Sequence, residues 1–157
     1  MPDAKVRRYV PEDAAQIARV FHASVHGLAR GDYTAEQLNA WSPAPRDAEW
    51  YQARAEARAV WVAERGAEIL GFLELEPDGH VDMLYVAPAA ARRGIAMALY
   101  QALEAYARER GFSRLYVEAS ETALPFFTRM GFGSPQRRDF ERNGVAIHNY
   151  AMEKRLA

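Results

Sequence analysis

Val86-Ala87-Pro88-Ala89-Ala90-Ala91-Arg92-Arg93-Gly94-Ile95-Ala96 is the stretch on which the reading of the fold turns. Before it, His80 to Val86 reads as a strand leaving the Pro77-Asp78-Gly79 turn. After it the apolar period becomes helical, with Ile95, Ala98, Leu99, Ala102, Leu103 and Tyr106 on one stripe and Gly111 as the stop. Between strand and helix lies a loop of small residues carrying two arginines. A helix N-terminus offers free backbone N–H groups and partial positive charge, so a phosphate fits there. Gly94 and Ala96 leave room for it, and Arg92 and Arg93 add charge. The loop is neither a Walker A sequence nor a dinucleotide Gly-x-Gly-x-x-Gly. From spacing alone, an anion site and an ordinary capped helix with solvated arginines both remain open.

Working outward, Ala59 to Glu64 and Ile69 to Glu76 flank Arg65-Gly66-Ala67-Glu68 as a hairpin. Lys5 to Val10 reads as a first strand. Pro11-Glu12-Asp13 then opens a helix whose apolar stripe is Ile17, Val20, Phe21 and Leu28. Thr34-Ala35-Glu36-Gln37 has the form of a capping box for a short helix towards Trp41, and Asp47 caps another that ends before Ala59. Arg114 to Ala119 is a strand, Thr122 to Met130 a short helix stopped by Gly131, and Asn143-Gly144 joins two last strands in a type I′ hairpin. The order is β-α-α-β-β-β-α-β-α-β-β, a mixed α/β (α+β) sandwich. No repeat or linker interrupts it, so residues 1–157 are expected to form one domain.

Composition narrows the function classes. Length 157 suits one domain that buries roughly 70% of its unfolded-chain surface. The absence of cysteine removes disulfides, thiolate zinc sites, iron–sulfur clusters and a cysteine nucleophile. A net charge of −1 leaves no electrostatic footprint for nucleic acid. No apolar run approaches the ~20 residues of a membrane span, and Met1-Pro2-Asp3-Ala4-Lys5 does not read as a secretory leader. A cytoplasmic protein is the expectation.

Leu84-Tyr85-Val86 followed by Arg92-Arg93-Gly94-Ile95-Ala96 and an amphipathic helix resembles the acetyl-CoA signature of the GNAT superfamily of N-acetyltransferases, Arg/Gln-x-x-Gly-x-Gly/Ala. The run from Glu118 to Phe132, a short helix ending in Gly131-Phe132, resembles the superfamily's second signature. The resemblance covers nearly the whole chain and is specific from about Val81 to Phe132. It implies a mostly antiparallel central sheet with helices on both faces. It divides the chain into acceptor-binding helices (1–58), an acetyl-CoA-binding core (59–132) and a C-terminal hairpin (133–157). It also implies acetyl-CoA as co-substrate, a small-molecule or peptide amine as acceptor, and possible pairing as a homodimer. Two positions depart from the pattern. Ala91 stands at the first signature position, and Phe127 stands where many relatives carry the tyrosine that protonates the leaving thiolate.

Acetyl transfer needs a neutral amine, a polarised carbonyl and a proton for the departing thiolate. Without cysteine, direct attack in a ternary complex is expected over an acyl-enzyme. The resemblance places the thioester carbonyl on backbone amides near Leu84, Tyr85 and Val86, an oxyanion-type contact. On a regular strand His80, Asp82, Leu84 and Val86 share one face, and Val81, Met83 and Tyr85 the other. Asp82 is the first candidate base, with a carboxylate bonded to nearby backbone as the alternative. His80, a neutral base near pH 7 or an exposed strand start, is the second. Tyr150, then Tyr85, are the candidate acids. The cofactor contacts expected are Leu84, Tyr85, Val86, Arg92, Arg93, Gly94, Ile95, Ala96, Ser120, Phe127 and Arg129. Ser120 is alternatively a helix cap, Phe127 core and Arg129 solvated.

Tyr33, Trp41, His26 and His148 are the candidate acceptor contacts, against a reading in which the aromatic residues staple short helices onto the sheet. His22 and His26 have the spacing of paired metal ligands, but Ala23 stands where a zinc protease needs Glu and no third ligand is evident, so no metal is expected. Two other readings remain: a non-catalytic acyl-CoA sensor of the same fold and a His-based metalloprotein.

Overall fold

The computed structural model describes residues 4–156. Met1, Pro2 and Asp3, part of the stretch read as no leader, and Ala157 lie outside the described residues. Strand β1 (Lys5–Arg8) leads through a 3₁₀ turn at Pro11–Asp13 into helix α1 (Ala14–Leu28). The Asp13 carboxylate accepts the Val10 N–H at 2.9 Å and two Arg7 guanidinium hydrogens at 2.9 Å each, which fixes strand to helix. Helix α2 (Ala35–Trp41) starts on the reciprocal bonds expected of a capping box: the Gln37 N–H reaches Thr34 Oγ1 at 3.1 Å and the Thr34 N–H reaches Gln37 Oε1 at 2.9 Å. Asp47 accepts the Trp50 N–H at 3.0 Å and starts α3 (Ala48–Ala55), so three helices precede β2, one more than the order written above counts.

Strands β2 (Ala59–Arg65), β3 (Glu68–Leu75) and β4 (His80–Val86) follow, then α4 (Ile95–Glu109), β5 (Arg114–Ala119), α5 (Leu124–Arg129), β6 (Gly133–Arg142) and β7 (Val145–Arg155). The sheet runs β1-β2-β3-β4-β5-β7-β6, antiparallel throughout except where β4 meets β5. One face is covered by α4 and α5 over Leu73, Leu99, Leu103, Leu115 and Phe127; the other is covered by α1 to α3 over Ile17, Val25, Tyr51 and Phe72. Burial of each such side chain contributes about 1.5–3 kcal/mol, and this burial holds the layers together. Among the described residues, no helix is long and apolar enough to cross a membrane.

One register detail positions the site. Leu75 pairs with Val81 and Glu74 with Met83, so Asp82 is an extra residue in β4, a bulge. The bulge breaks the alternation expected of a regular strand. Val81 joins Leu84 and Val86 on the α4 face, while Met83 and Tyr85 pack on the α1 face, where Asp82 meets Arg54 of α3. The expected shared face of His80, Asp82, Leu84 and Val86 is therefore corrected: an inserted residue shifts every side chain before it relative to those after it.

Candidate active site

Strands β4 and β5 pair over two positions only, His80 with Tyr116 and Val81 with Val117. Beyond Val81 they part, and backbone groups of Met83 to Val86 that a neighbouring strand would satisfy face a gap. Buried backbone groups without a strand partner need a ligand or water. Two cavities meet at this gap. A cleft of about 720 Å³ opens between α1, the Ala87–Gly94 loop, the start of α4 and α5. A chamber of about 200 Å³ lies between β4, β5, α2 and the β6–β7 hairpin. Leu84, Tyr85 and Ser120 line both, as does Trp41.

The larger cleft ends at the loop. Arg92 has φ +62° and Gly94 φ +78°, so both are left-handed; at Arg92 that geometry costs roughly 1–2 kcal/mol. Gly94 is exposed and supplies no side-chain cap, which leaves the first N–H groups of α4 open. Close packing supports the loop, because a Cβ on Gly27 of α1 would lie 2.6 Å from Pro88. Val86, Arg92, Gly94, Ile95, Ala96 and Arg129 line this cleft, whereas exposed Arg93 does not. Ser120 lines it too, but its Oγ accepts the Ala123 N–H at 3.0 Å, which is the cap expected as its alternative role. Phe127 is 2% exposed, packs on Phe126 and Phe132, and lines the chamber rather than the cleft.

At the chamber wall Asp82 is paired with Arg54 and, at 3.3 Å, with Arg58. Arg54 also holds Glu74, 1% exposed, at 2.8 Å. Burial pushes the Glu74 carboxyl up, against the pull of Arg54. His80 lies between two carboxylates: Nδ1 is 2.5 Å from Glu76 and Nε2 2.6 Å from Glu118, with the ring stacked on Tyr116. The Glu118 bond, then the Glu76 bond, raise its pKa to about 9, against burial. Near neutral pH the ring is an imidazolium with both nitrogens engaged, and the expectation of a neutral base is corrected. Glu118, lowered by the same bond, lines the chamber. Glu76, His80 and Asp82 each bring a ligand-type atom within 4.8 Å of the others, but the Arg54 and Arg58 guanidiniums already occupy the two carboxylates.

This cation has a consequence for stability. A folded pKa of about 9 against an ordinary 6.5 means that the stabilisation is complete below about pH 6.5 and is lost as pH rises through about 9. The size is about 3 kcal/mol. His80→Gln is expected to lower the melting temperature more near pH 6 than near pH 10; an equal loss at both would show that His80 is neutral in the fold.

Tyr150 lines neither cavity. Its hydroxyl donates to Glu121 at 2.9 Å, and that bond raises its pKa. The same Glu121 oxygen is 2.7 Å from His148 Nε2. Tyr33, 6% exposed, accepts the Glu121 N–H at 2.7 Å and donates to the His148 carbonyl at 3.0 Å. Tyr33, Trp41 and His148 line the chamber; His26 does not. His26 Nε2 donates to the Ser42 carbonyl at 2.7 Å, and His22 Nδ1 is 2.7 Å from Ser42 Oγ, so this pair secures the end of α2. Tyr85 stands at the junction, its ring edge-on to Phe21 at 4.7 Å, and burial holds its phenol protonated far above neutral pH. Sequence reasoning missed Glu118, Arg54, Arg58 and Arg142. The strand period puts Glu118 and Tyr116 on one face of β5, and Arg54 and Arg58 have helical spacing, but nothing local joins either pair to β4.

The fold that carries the parted strands and the open helix end is shared with known proteins. A model of the acetyltransferase (GNAT) domain matches residues 29–154. YafP of Escherichia coli K12, described as an uncharacterized N-acetyltransferase, is 34% identical over 152 residues, 97% of this chain and 96% of that protein. The crystal structure of a GCN5-related N-acetyltransferase from Rhodopseudomonas palustris superposes with a TM-score of 0.91 at 37% identity, covering 99% of this chain and 98% of that one. PaiA N-acetyltransferase of Thermoplasma acidophilum, solved in complex with coenzyme A, shares the fold at 18% identity, with a TM-score of 0.75 over 99% of this chain and all of that one (100%). A domain model over most of the chain, with relatives matched nearly end to end, places this protein in the GNAT acetyltransferase family.

Proposed function

We propose that the chain is one domain, residues 1–157, that moves the acetyl group of acetyl-CoA to a primary amine by direct attack in a ternary complex. The observation that carries this reading is the gap between β4 and β5, where two cavities meet just ahead of an open helix N-terminus. The N–H groups of Arg92 to Ala96, with the Arg92 side chain, hold the pyrophosphate; the missing side chain at Ala91 is offset by this charge. Backbone of Leu84 to Val86, free of a β5 partner, donates to the thioester carbonyl as negative charge develops there. Helices of the first 58 residues and the hairpin of 133–157 form the acceptor chamber around a core of 59–132.

Asp82 carries the base role, taking the amine proton through water on Oδ1, since Arg54 and Arg58 both bind Oδ2, and because it is the β4 carboxylate at the chamber wall. His80 acts through Glu118 and Glu76, as a positioning residue. For the leaving sulfur, Tyr85 is better placed than Tyr150, since it lines both cavities while the Tyr150 proton is engaged on Glu121. A phenol held far above the ~8.5 of a thiol does not surrender its proton outright. Tyr85 instead donates a hydrogen bond to the thiolate, which then takes its proton from solvent. Such a bond to a charged group contributes about 1.5–3 kcal/mol, so Tyr85→Phe is expected to lower kcat about 10- to 100-fold. An unchanged kcat in Tyr85→Phe would leave water alone with this role.

Initial rates measured while varying both substrates test the mechanism. Intersecting reciprocal plots are expected for a ternary complex; parallel plots would indicate an acetyl-enzyme and overturn direct attack.

A further inference from the structure

The acceptor chamber is lined by side chains of both charges. Asp82 of β4 and Glu118 of β5 line it. Behind them Arg54, Arg58 and the His80 imidazolium pair with Glu74, Glu76, Asp82 and Glu118, and Arg138 also acts on Glu118; of these groups, Asp82 and Glu118 are the ones that line the chamber. Arg142, at the end of β6, also lines the chamber. Among the described residues it has no ion-pair or hydrogen-bond partner; its guanidinium is 5.8 Å from the Phe140 ring, and its charge acts on the Tyr85 phenol at the junction.

The hairpin that carries Arg142 is fastened over the chamber. Asn143 Nδ2 donates to the Ala40 carbonyl at 2.6 Å, and Gln37 Nε2 donates to the Ala146 carbonyl at 3.0 Å. The Asn143-Gly144 turn, with φ +51° and +80°, turns the chain directly after Arg142. The backbone that carries the exposed Arg142 is therefore fixed beside the chamber, which Asp82, Glu118 and the rings of Phe21, Tyr33 and Trp41 also line. At about 200 Å³ the chamber falls below the roughly 300–1,000 Å³ of drug-sized pockets, so its occupant is small.

We propose that the acceptor is a small zwitterion, an α-amino acid with an apolar or aromatic side chain, its carboxylate on Arg142 and its amine towards Asp82 and Glu118. This rests on the acetyltransferase reading above. A guanidinium matches a carboxylate bidentately, and an ammonium is drawn to the carboxylates of Asp82 and Glu118. In the reaction the α-nitrogen forms a bond to the acetyl carbon as the carbon–sulfur bond breaks. The ammonium gives up two protons, one equivalent ending on the thiolate and one in solvent, and the products are the N-acetyl amino acid and CoA thiol.

The test is thiol release from acetyl-CoA with leucine and phenylalanine, their decarboxylated counterparts isoamylamine and phenethylamine, and a lysine peptide. The amino acids are expected to have the highest kcat/KM. Arg142→Gln is expected to reduce the amino-acid-to-amine ratio of kcat/KM by about 10- to 100-fold, the loss of one charge-assisted contact, mostly through KM. Arg142→Lys should recover part of the ratio, and melting temperatures confirm that each variant is folded. Equal or better use of the plain amines or the peptide would overturn the zwitterion and leave the acetyltransferase reading standing, as would a ratio unmoved by Arg142→Gln. No thiol release with any acceptor, while acetyl-CoA still binds, would overturn both.

Discussion

Asp82→Asn is expected to lower kcat by about 10²–10⁴-fold, the range of a lost acid–base group, with acetyl-CoA affinity close to that of the wild type. Asparagine keeps the shape of the β4 bulge and a carbonyl oxygen for Arg54 and Arg58, which retain Glu74 and Glu76 as partners, so the fold should survive. The loss should shrink at high pH, where the amine arrives already neutral. A kcat within a few-fold of wild type would show that water suffices as base. His80→Gln is the companion measurement, since a large kinetic loss there with Asp82→Asn silent would transfer the role to the His80–Glu118 pair.

Gly94→Glu is expected to weaken acetyl-CoA binding at least about 100-fold, some 2.7 kcal/mol. A Cβ at this position meets nothing within 4 Å, so the side chain does not disturb packing. The left-handed φ of +78° carries a cost that Gly94→Ala measures separately, roughly 1–2 kcal/mol of stability. Glutamate adds negative charge where the phosphates must sit, at the open N–H groups of α4. Calorimetric titration of both variants separates charge from strain. Wild-type affinity in a folded Gly94→Glu protein would remove the pyrophosphate from this loop.

Much of this was legible in the sequence because the signals were local. The Thr34–Gln37 box, the Asp47 cap, the Asn143-Gly144 hairpin and the strand–loop–helix around Gly94 each depend on residues within a few positions of one another, and each stands as read. What escaped depends on register and on distant partners. The bulge at Asp82 exists only through the pairing of β4 with β3, so a one-residue slip placed Val81 on the wrong face. His80 read as a neutral base because Glu118 is 38 residues away in sequence and meets it only across the β4–β5 pairing. Arg142 drew no attention among the charges of β6, since its place over the chamber comes from α2 fastening the hairpin.

The most direct test of acetyl transfer across the β4–β5 gap is thiol release from acetyl-CoA by the wild-type protein with saturating primary amine. Amine-dependent release, matched one to one by N-acetylated product, is the expected result. Tight acetyl-CoA binding with no amine-dependent thiol from any acceptor would contradict it and leave a protein that binds the thioester without using it.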